Sequence, residues 1–153
     1  MPQFKYTVYG LDPDKTALAS GRDLDISPKA AREICRELSG RYLEQAMEYL
    51  EGVIAKEEIV PYRRHKKKVG HKRGWRGWPA GRYPVKAAGE ILKVLRNVEN
   101  NAEFKGLDIA RLRVNHACAH RGRKTKRFFT RAFGRTSPKV RETVHIEIAV
   151  EEE

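Results

Sequence analysis

Two segments of the sequence hold most of the residues that could do chemistry, and those residues are overwhelmingly cationic. Residues 61–89 contain ten Lys and Arg side chains, residues 109–141 contain eleven, and neither segment contains an acid. Lys and Arg side chains donate hydrogen bonds to phosphate oxygens, and Arg also stacks on planar bases. The 153-residue chain has a formal net charge of +12. Such concentrated charge is typical of a surface that binds a polyanion, above all a nucleic acid.

The first cationic segment also carries two tryptophans in a Gly-rich run, RRHKKKVGHKRGWRGWPAGR. A loop of this length without an apolar period is typically functional or disordered. Because tryptophan faces and the intervening arginines can stack on exposed bases and sugars, we predict a nucleic-acid contact here. The alternative is that the tryptophans cover an edge of the core within a solvated run of charge. The candidate residues are Arg63, Arg64, Lys66, Lys67, Lys68, Lys72, Arg73, Trp75, Arg76, Trp78 and Arg82.

The second cationic segment lies between two stretches of alternating character. The alternating positions are Leu112, Val114, His116, Cys118 and His120 before it, and Val144, Ile146, Ile148 and Val150 after it. Period two predicts two strands, and their simplest connection is a long β-hairpin. Its outer half should leave the core, because the alternation fades beyond residue 120 and before residue 140. A basic arm of this kind has little to bury against itself and needs a polyanion to become ordered.

The candidate contacts on this hairpin include aromatic as well as cationic side chains. We interpret the three phenylalanines as stacking partners for bases or wedges between RNA segments; alternatively, they form a small cluster that stiffens the turn. Gly122 and Gly134 are expected to allow close approach or a bend at the two ends of the arm. The candidates are Arg111, Arg113, Arg121, Arg123, Lys124, Lys126, Arg127, Phe128, Phe129, Arg131, Phe133, Arg135, Lys139 and Arg141.

Metal and catalytic chemistry are poorly supported by the sequence. His116, Cys118 and His120 would point the same way from a strand, with His145 opposite, and four such side chains could hold zinc. A straight strand sets alternate ligands roughly 7 Å apart, too wide for three of them to share one ion without a bend. No P-loop, G-x-S-x-G or H-E-x-x-H motif occurs, and the cationic segments lack carboxylates. We therefore predict no enzyme activity, no metal and no cofactor.

The remaining sequence predicts the scaffold that holds these segments. A first strand is plausible over residues 16–26, and residues 2–10 could be a short strand or an extended tail. Ser27 and Pro28 are typical of an N-cap and first helical residue, and that helix should stop at Gly40. A second helix is expected over residues 42–58, and a third from Pro84 to near Asn100, each with an apolar stripe. Elements of both kinds predict an α+β fold.

The length allows one modest domain. We expect a single domain over residues 1–153, with its core in about 14–60, 84–112 and 142–150, a basic insertion loop over about 61–83 and a hairpin over about 111–150. Cys35, interpreted as a small core residue, and Cys118 do not form a pattern typical of a disulfide-stapled secreted module. With no signal sequence, no apolar window long enough to span a membrane and no apolar face for a membrane surface, cytosol is the expected compartment.

Two other classes of nucleic-acid protein fit the charge pattern less well. An architectural DNA-binding protein could lay a basic β-ribbon arm in a groove, but such proteins usually act as symmetric dimers. No long apolar dimer face is predicted here. An RNA-modifying enzyme or its accessory subunit would need acid and base groups that the cationic segments lack. Composition alone does not choose among these classes.

Several motifs, in the same order along the chain, resemble one protein family. They are ISPKAAREICRELSG from Ile26, the QAMEYLE helix, the AEFKGLD link and TKRFFTRAFGR over residues 125–135. The sequence resembles the universal large-subunit ribosomal protein L-twenty-two family, L-seventeen in older eukaryotic naming, and is closest to its archaeal and eukaryotic branch. The last motif is the most specific, since the family's extended hairpin carries a similar K-R…R-A-x-G-R tip. The insertion at residues 61–83 departs from the bacterial pattern, so an RNA contact there is inferred from charge alone.

The resemblance implies a compact domain with a small three-stranded antiparallel sheet packed on three helices. It also implies a cytoplasmic, non-enzymatic component of the large ribosomal subunit, monomeric within the ribosome and without a membrane partner. In such a protein the body lies near the exit of the polypeptide tunnel and the hairpin threads through large-subunit ribosomal RNA. Its tip would meet the ribosomal protein L-four and the passing nascent polypeptide at the tunnel wall. The residues implied at the tip are Lys126, Arg127, Arg131, Gly134 and Arg135.

Overall fold

A three-stranded antiparallel sheet and three helices form the body of the protein, described for residues 5–73 and 77–153 in a computed structural model. This architecture confirms the predicted α+β fold. In chain order the elements are β1 (Thr16–Leu24), α1 (Pro28–Leu38), α2 (Leu43–Ala55), β2 (Val60–Pro61), β3 (Gly81–Arg82), α3 (Val85–Lys105), β4 (Leu112–Thr130) and β5 (Thr136–Glu152). Strands β2 and β3 pair with each other outside the main sheet.

Strand β5 is the centre of the main sheet, with β1 on one side and β4 on the other. Both pairings are antiparallel, and the predicted period-two pattern on β5 is confirmed. Every second side chain faces the helices and is fully buried: Val144, Ile146, Ile148 and Val150. Each such aliphatic side chain contributes about 1.5–3 kcal/mol by burial, so this row anchors the sheet to the core.

Strand β4 begins at Leu112, after a short 3-10 turn over Ile109–Arg111. Its register shifts between Val114 and His116, so an extra residue is inserted there as a β-bulge. After the bulge Ala117 and Ala119 pack against the core, whereas His116, Cys118 and His120 pair with the outward-facing residues of β5. The bulge therefore turns the His/Cys positions away from the buried row to which Leu112 and Val114 belong.

The three helices confirm the predicted order and differ at their ends. Helix α1 starts at Pro28 with Ser27 at its N-cap, but the Ser27 side chain makes no capping hydrogen bond and the helix ends at Leu38. Helix α2 is shorter than predicted, because Lys56 adopts a left-handed conformation at φ +66°. Helix α3 continues past Asn100 to Lys105, so the predicted helix end near Asn100 is wrong and most of the AEFKGLD link is helical.

Two features explain the greater length of α3. Ala102 is fully buried, so the apolar stripe runs on beyond Asn100. Gly106, at φ +75°, supplies the left-handed residue that ends the helix. Asn101 also donates a hydrogen bond of 2.8 Å to the Leu18 carbonyl, which ties this end of the helix to β1.

The hydrophobic core lies between the helices and the inner face of the sheet. Cys35 is buried there, which confirms its interpretation as a core residue, and burial raises the pKa of its thiol to about 12. Residues 5–10 form no strand and lie against the opposite, outer face of the sheet, where Thr7 meets Glu147. Within the described residues no helix combines the length and apolarity needed to cross a membrane.

Candidate nucleic-acid interface

Beyond the body, β4 and β5 continue as a two-stranded ribbon that we call the arm, residues 121–144. It runs from the Arg121–Val144 pair to the Thr130–Thr136 pair, roughly 30 Å at ~3.3 Å per residue. Almost all of its side chains are exposed, and only Val144 is buried. The arm thus confirms the predicted hairpin, and its outer half has no core of its own.

The base of the arm is fixed by a bulge and by two aspartates. Gly122 lies in a second register shift of β4, and a Cβ at this position would overlap the Thr143 side chain. This is the close approach predicted for Gly122. Thr143 Oγ1 donates to Asp23 Oδ1 at 2.9 Å, and the Asp23 amide donates to His145 Nδ1 at 3.0 Å. These bonds tie the arm to the end of β1.

Asp25 joins the base of the arm to α3. Its carboxylate accepts hydrogen bonds from both the Nε and Nη2 groups of Arg141 and from Lys86 Nζ, the last at 2.7 Å. The bonds from Arg141, then those from Lys86, lower the pKa of Asp25 well below its usual range. Arg141, a predicted nucleic-acid contact, is thus bound to Asp25 at the base of the arm. Asp25 was not predicted, because a lone acid before a predicted helix carries no distinguishing signal in the sequence.

The apex of the arm presents an aromatic ring. Phe133 adopts a left-handed conformation at φ +58° with its side chain 94% exposed, and Gly134 follows at φ +68°. The Arg131 amide donates to the Arg135 carbonyl at 2.8 Å and closes the turn. A side chain this exposed cannot stiffen the turn by packing, so the geometry of Phe133 favours the stacking interpretation.

The predicted tip residues lie at two levels. Arg131, Gly134 and Arg135 form the closing turn, whereas Lys126 and Arg127 pair across the ribbon with Val140 and Lys139. The latter two residues are therefore set back from Thr130 by roughly 10–15 Å at ~3.3 Å per residue. Between the two levels lie Phe128, 66% exposed, and Phe129, whose ring centroid is 4.7 Å from Lys139 Nζ.

The basic loop, residues 61–83, is closed at its root by β2 and β3 and by a further bridge between His71 and Ala80. The start of the loop is also anchored by Glu33 of α1, whose side chain is buried at 2% exposure. One oxygen of Glu33 accepts from the amides of Arg64 (3.0 Å) and His65 (3.2 Å), and the other from the amide of Arg63 (3.2 Å). A buried carboxylate thus fixes the start of the loop.

Aromatic rings within the loop are covered by its own cations. Trp78 Nε1 donates to the Tyr62 carbonyl at 3.0 Å, and Lys66 Nζ lies 5.1 Å from the Trp78 ring centroid. Trp78 therefore braces the loop, and base stacking by it stays a prediction. The predicted contacts Trp75 and Arg76 lie outside the described residues.

The predicted cationic residues that the structure describes divide into two groups. Five are paired with acids of this chain: Arg63 with Glu37, Arg113 with Glu153, Arg121 and Lys124 with Glu142, and Arg141 with Asp25. The others make no ion pair with a described residue: Arg64, Lys66, Lys67, Lys68, Lys72, Arg73, Arg82, Arg111, Arg123, Lys126, Arg127, Arg131, Arg135 and Lys139. Because these cations repel one another, binding of an external polyanion is favourable.

The outer face of the sheet, which carries the His/Cys group, also holds the carboxylate of Glu147. Glu147 is 2% exposed and accepts hydrogen bonds from the Thr7 amide at 2.9 Å and its hydroxyl at 2.8 Å, and from Arg22 at 3.2 Å. His120 Nε2 lies 3.8 Å from the same carboxylate. Burial raises the pKa of Glu147, but these partners outweigh it and the net pKa falls below its ordinary value. No set of three or more metal-binding side chains forms among the described residues.

A small α+β body with an exposed cationic arm is typical of proteins that assemble with structured RNA, and comparison with known proteins agrees. Residues 19–151 match the family model described as Ribosomal protein L22p/L17e. The chain is 51% identical over 152 residues to the Large ribosomal subunit protein uL22 of Methanocaldococcus jannaschii, with 99% of this chain and 97% of that protein covered. It is 52% identical over 158 residues to the protein of the same name from Methanopyrus kandleri, with 99% of each covered.

The chain belongs to the L22p/L17e family of ribosomal proteins. Membership confirms the resemblance inferred from the motifs, and the similar archaeal proteins agree with its predicted branch. It also confirms the expected cytoplasmic location, where ribosomes work, and gives the chain a structural role in the ribosome.

Proposed function

We propose that this protein binds and braces large-subunit ribosomal RNA, with the arm inserted between RNA segments and the body anchoring it. The observation that carries this proposal is the arm itself. It is a ribbon tied to the body at its base. Five of its cations have no acidic partner among the described residues: Arg123, Lys126, Arg127, Arg131 and Arg135. Since the arm buries almost nothing against the body, its stable surroundings must be supplied from outside.

The mechanism is neutralisation of charge together with positioning. Where RNA backbones converge, phosphates repel one another, and interposed guanidinium groups offset that repulsion. The contacts of Asp23 and Asp25 at the base fix where the arm leaves the body, so the arm reaches a defined place in the RNA. Recognition of this kind reads shape and phosphate positions and needs no base-specific code.

The basic loop provides a second contact with the RNA. Its start is held by Glu33, and the side chains of Lys67, Lys68 and Arg73 remain exposed and unpaired within the described residues. Because the loop and the arm leave the body separately, their joint binding would fix the body's orientation, as two linked sites do. A monomer is sufficient for this arrangement.

The tip of the arm is proposed to reach the wall of the polypeptide tunnel, beside the ribosomal protein L-four. The exposed turn at Arg131, Gly134 and Arg135 would face the tunnel, and Lys126 and Arg127 would hold the RNA behind it. Passage of the nascent chain would then depend on the shape and charge of the tip. Replacing Lys126 and Arg127 by Glu should impair subunit assembly or alter nascent-chain transit, measured by ribosome profiling. No change in either process would count against this placement.

Salt dependence tests the RNA-binding proposal. If about 10 phosphates are contacted, the slope of log affinity against log salt concentration for full-length protein and large-subunit ribosomal RNA should be about −7 to −9. Filter binding over a series of potassium chloride concentrations measures this slope. Affinity that hardly changes with salt would refute binding through the cationic surface.

A further inference from the structure

A small pocket lies where the basic loop, helix α1 and the base of the arm meet. Its volume is about 150 Å³, far below the ~300–1,000 Å³ of ordinary small-molecule sites and well above the ~30 Å³ share of one water. The lining is drawn from three separate parts of the chain: Pro28, Lys29 and Arg32 of α1, Arg64 and His65 of the loop, and Ala119 and Arg121 of β4. A pocket of this size suits a small polar group rather than a whole metabolite.

Four cations converge on this pocket and no acid lines it. Lys29, Arg32 and Arg64 make no ion pair with a described residue. Arg121 has only a long contact of 3.8 Å to Glu142, which lies nearer to Lys124. The nearby carboxylate of Glu33 is buried, accepts hydrogen bonds from loop amides and does not line the pocket. Like charges held this close destabilise the free protein unless an anion lies among them.

We propose that Arg32, Arg64 and Arg121 together bind one phosphate group of the RNA backbone, with Lys29 at the rim. This inference rests on the proposed RNA-binding function and extends it to Lys29 and Arg32 of α1, which lie outside both cationic segments. Guanidinium groups suit this ligand because each can donate two parallel hydrogen bonds to phosphate oxygens. One phosphate bound here would join the loop, α1 and the arm, and so hold the two RNA contacts in a fixed relation.

The residues around the pocket indicate a phosphate of a nucleic-acid backbone rather than a free phosphate ion. A second pocket of about 380 Å³ shares Lys29 and His65 with the first and is otherwise lined by Lys67, Arg82, Tyr62 and Tyr83 among others. The cations there and the half-buried ring of Tyr83 offer charge and ring surface to a neighbouring nucleotide. On the opposite side, Arg121 begins the arm. The cationic surface therefore continues in both directions from the proposed phosphate.

The test compares the salt dependence of RNA binding for two triple variants of the full-length protein. R32Q/R64Q/R121Q removes the pocket cations, and R36Q/K93Q/R96Q removes three exposed cations outside the cationic segments. If the three arginines share one phosphate, the pocket variant should lose about 0.7–0.9 from the magnitude of the salt slope. The control variant should keep the wild-type slope. The charge-conserving R32K/R64K/R121K variant should also keep it, with weaker affinity because Lys lacks the two-pronged geometry.

The outcomes separate this proposal from the function on which it rests. A loss of about 2–3 in slope would mean three independent phosphates, and no loss would mean no phosphate; either result overturns the shared site while a steep wild-type slope upholds RNA binding. A flat wild-type slope would overturn both. Should the triple variant unfold in circular dichroism, R32Q is compared with R36Q, one turn further along α1. Equal affinity of these two for large-subunit ribosomal RNA would also overturn the site.

Discussion

Replacing Glu33 by Gln should release the start of the basic loop while leaving the body folded. The carboxylate is 2% exposed and accepts hydrogen bonds from the backbone amides of Arg63, Arg64 and His65. Glutamine keeps one acceptor oxygen, which can serve two of these amides as a neutral partner. The glutamine NH2 group faces the third amide N–H, and because both groups are donors that hydrogen bond is lost.

The expected cost follows from the types of bond that change. Loss of one hydrogen bond to a charged acceptor costs about 1.5–3 kcal/mol, and weakening of two more to neutral strength adds to it. We expect E33Q to lose about 2–4 kcal/mol of stability at the start of the loop. The matched control is E37Q on the same helix, which removes only a side-chain ion pair of 3.1 Å with Arg63 and should cost about 0–1 kcal/mol.

Urea unfolding followed by two probes measures this effect. Both tryptophans of the chain, Trp75 and Trp78, belong to the loop, so their fluorescence reports on it, whereas far-ultraviolet circular dichroism reports mainly on the helices. In E33Q the fluorescence transition should move to lower urea than the circular-dichroism transition, and the amides of residues 63–65 should exchange faster. In E37Q the two transitions should coincide. Coincident transitions and unchanged exchange in E33Q would refute the anchoring role.

Three further perturbations test the base of the arm, the outer face of the sheet and the apex. D25N removes the carboxylate that holds Arg141, so trypsin should cut the arm faster at its base while the urea midpoint of global unfolding hardly changes. Equal cleavage rates would contradict this anchoring. Burial lowers the pKa of His116 in the folded protein, so as the pH drops the unfolded chain binds a proton at this imidazole before the folded chain does. The free energy of unfolding should therefore fall as pH drops below about 6.5. H116Q should flatten that fall between pH 7.5 and 5.5 in urea titrations, and an unchanged fall would assign it to other groups. F133A should weaken RNA binding by about 1–3 kcal/mol if the ring stacks on a base. F133G should bind RNA as weakly as F133A, but the folded protein should be more stable, because glycine relieves the left-handed backbone at this position. Wild-type affinity in both variants would exclude stacking.

Local signals in the sequence located most of the scaffold. Ser27 and Pro28 marked the start of α1, and alternation marked β5, because caps, stripes and period two act within a few neighbouring residues. The end of α3 was misjudged because its last turn carries the polar run before Gly106, and only the burial of Ala102 against the body reveals that the helix continues. Packing of this kind is not visible in a local pattern.

The candidate site shows the same limit. Charge concentration identified the arm and the loop, but it could not show which cations are neutralised within the chain, as Arg141 is by Asp25. Glu33 resembled any acid on a helix, although its partners lie about thirty residues further along the chain. The bulge after Val114 left no signal either, because Ala117 and Ala119 are small enough to face either side of the sheet. Each of these features depends on contacts that are distant in sequence.

The most direct measurement of the central claim is crosslinking in cells, with sequencing of the bound nucleic acid and fractionation on sucrose gradients. A photoreactive residue placed at Phe128, 66% exposed on the arm, should crosslink to large-subunit ribosomal RNA in fractions that sediment with the large subunit. The same residue placed at Phe104, 93% exposed at the end of α3 and outside the cationic surface, supplies the comparison. Crosslinks from Phe128 to dispersed DNA, or a protein that remains at the top of the gradient, would contradict the account.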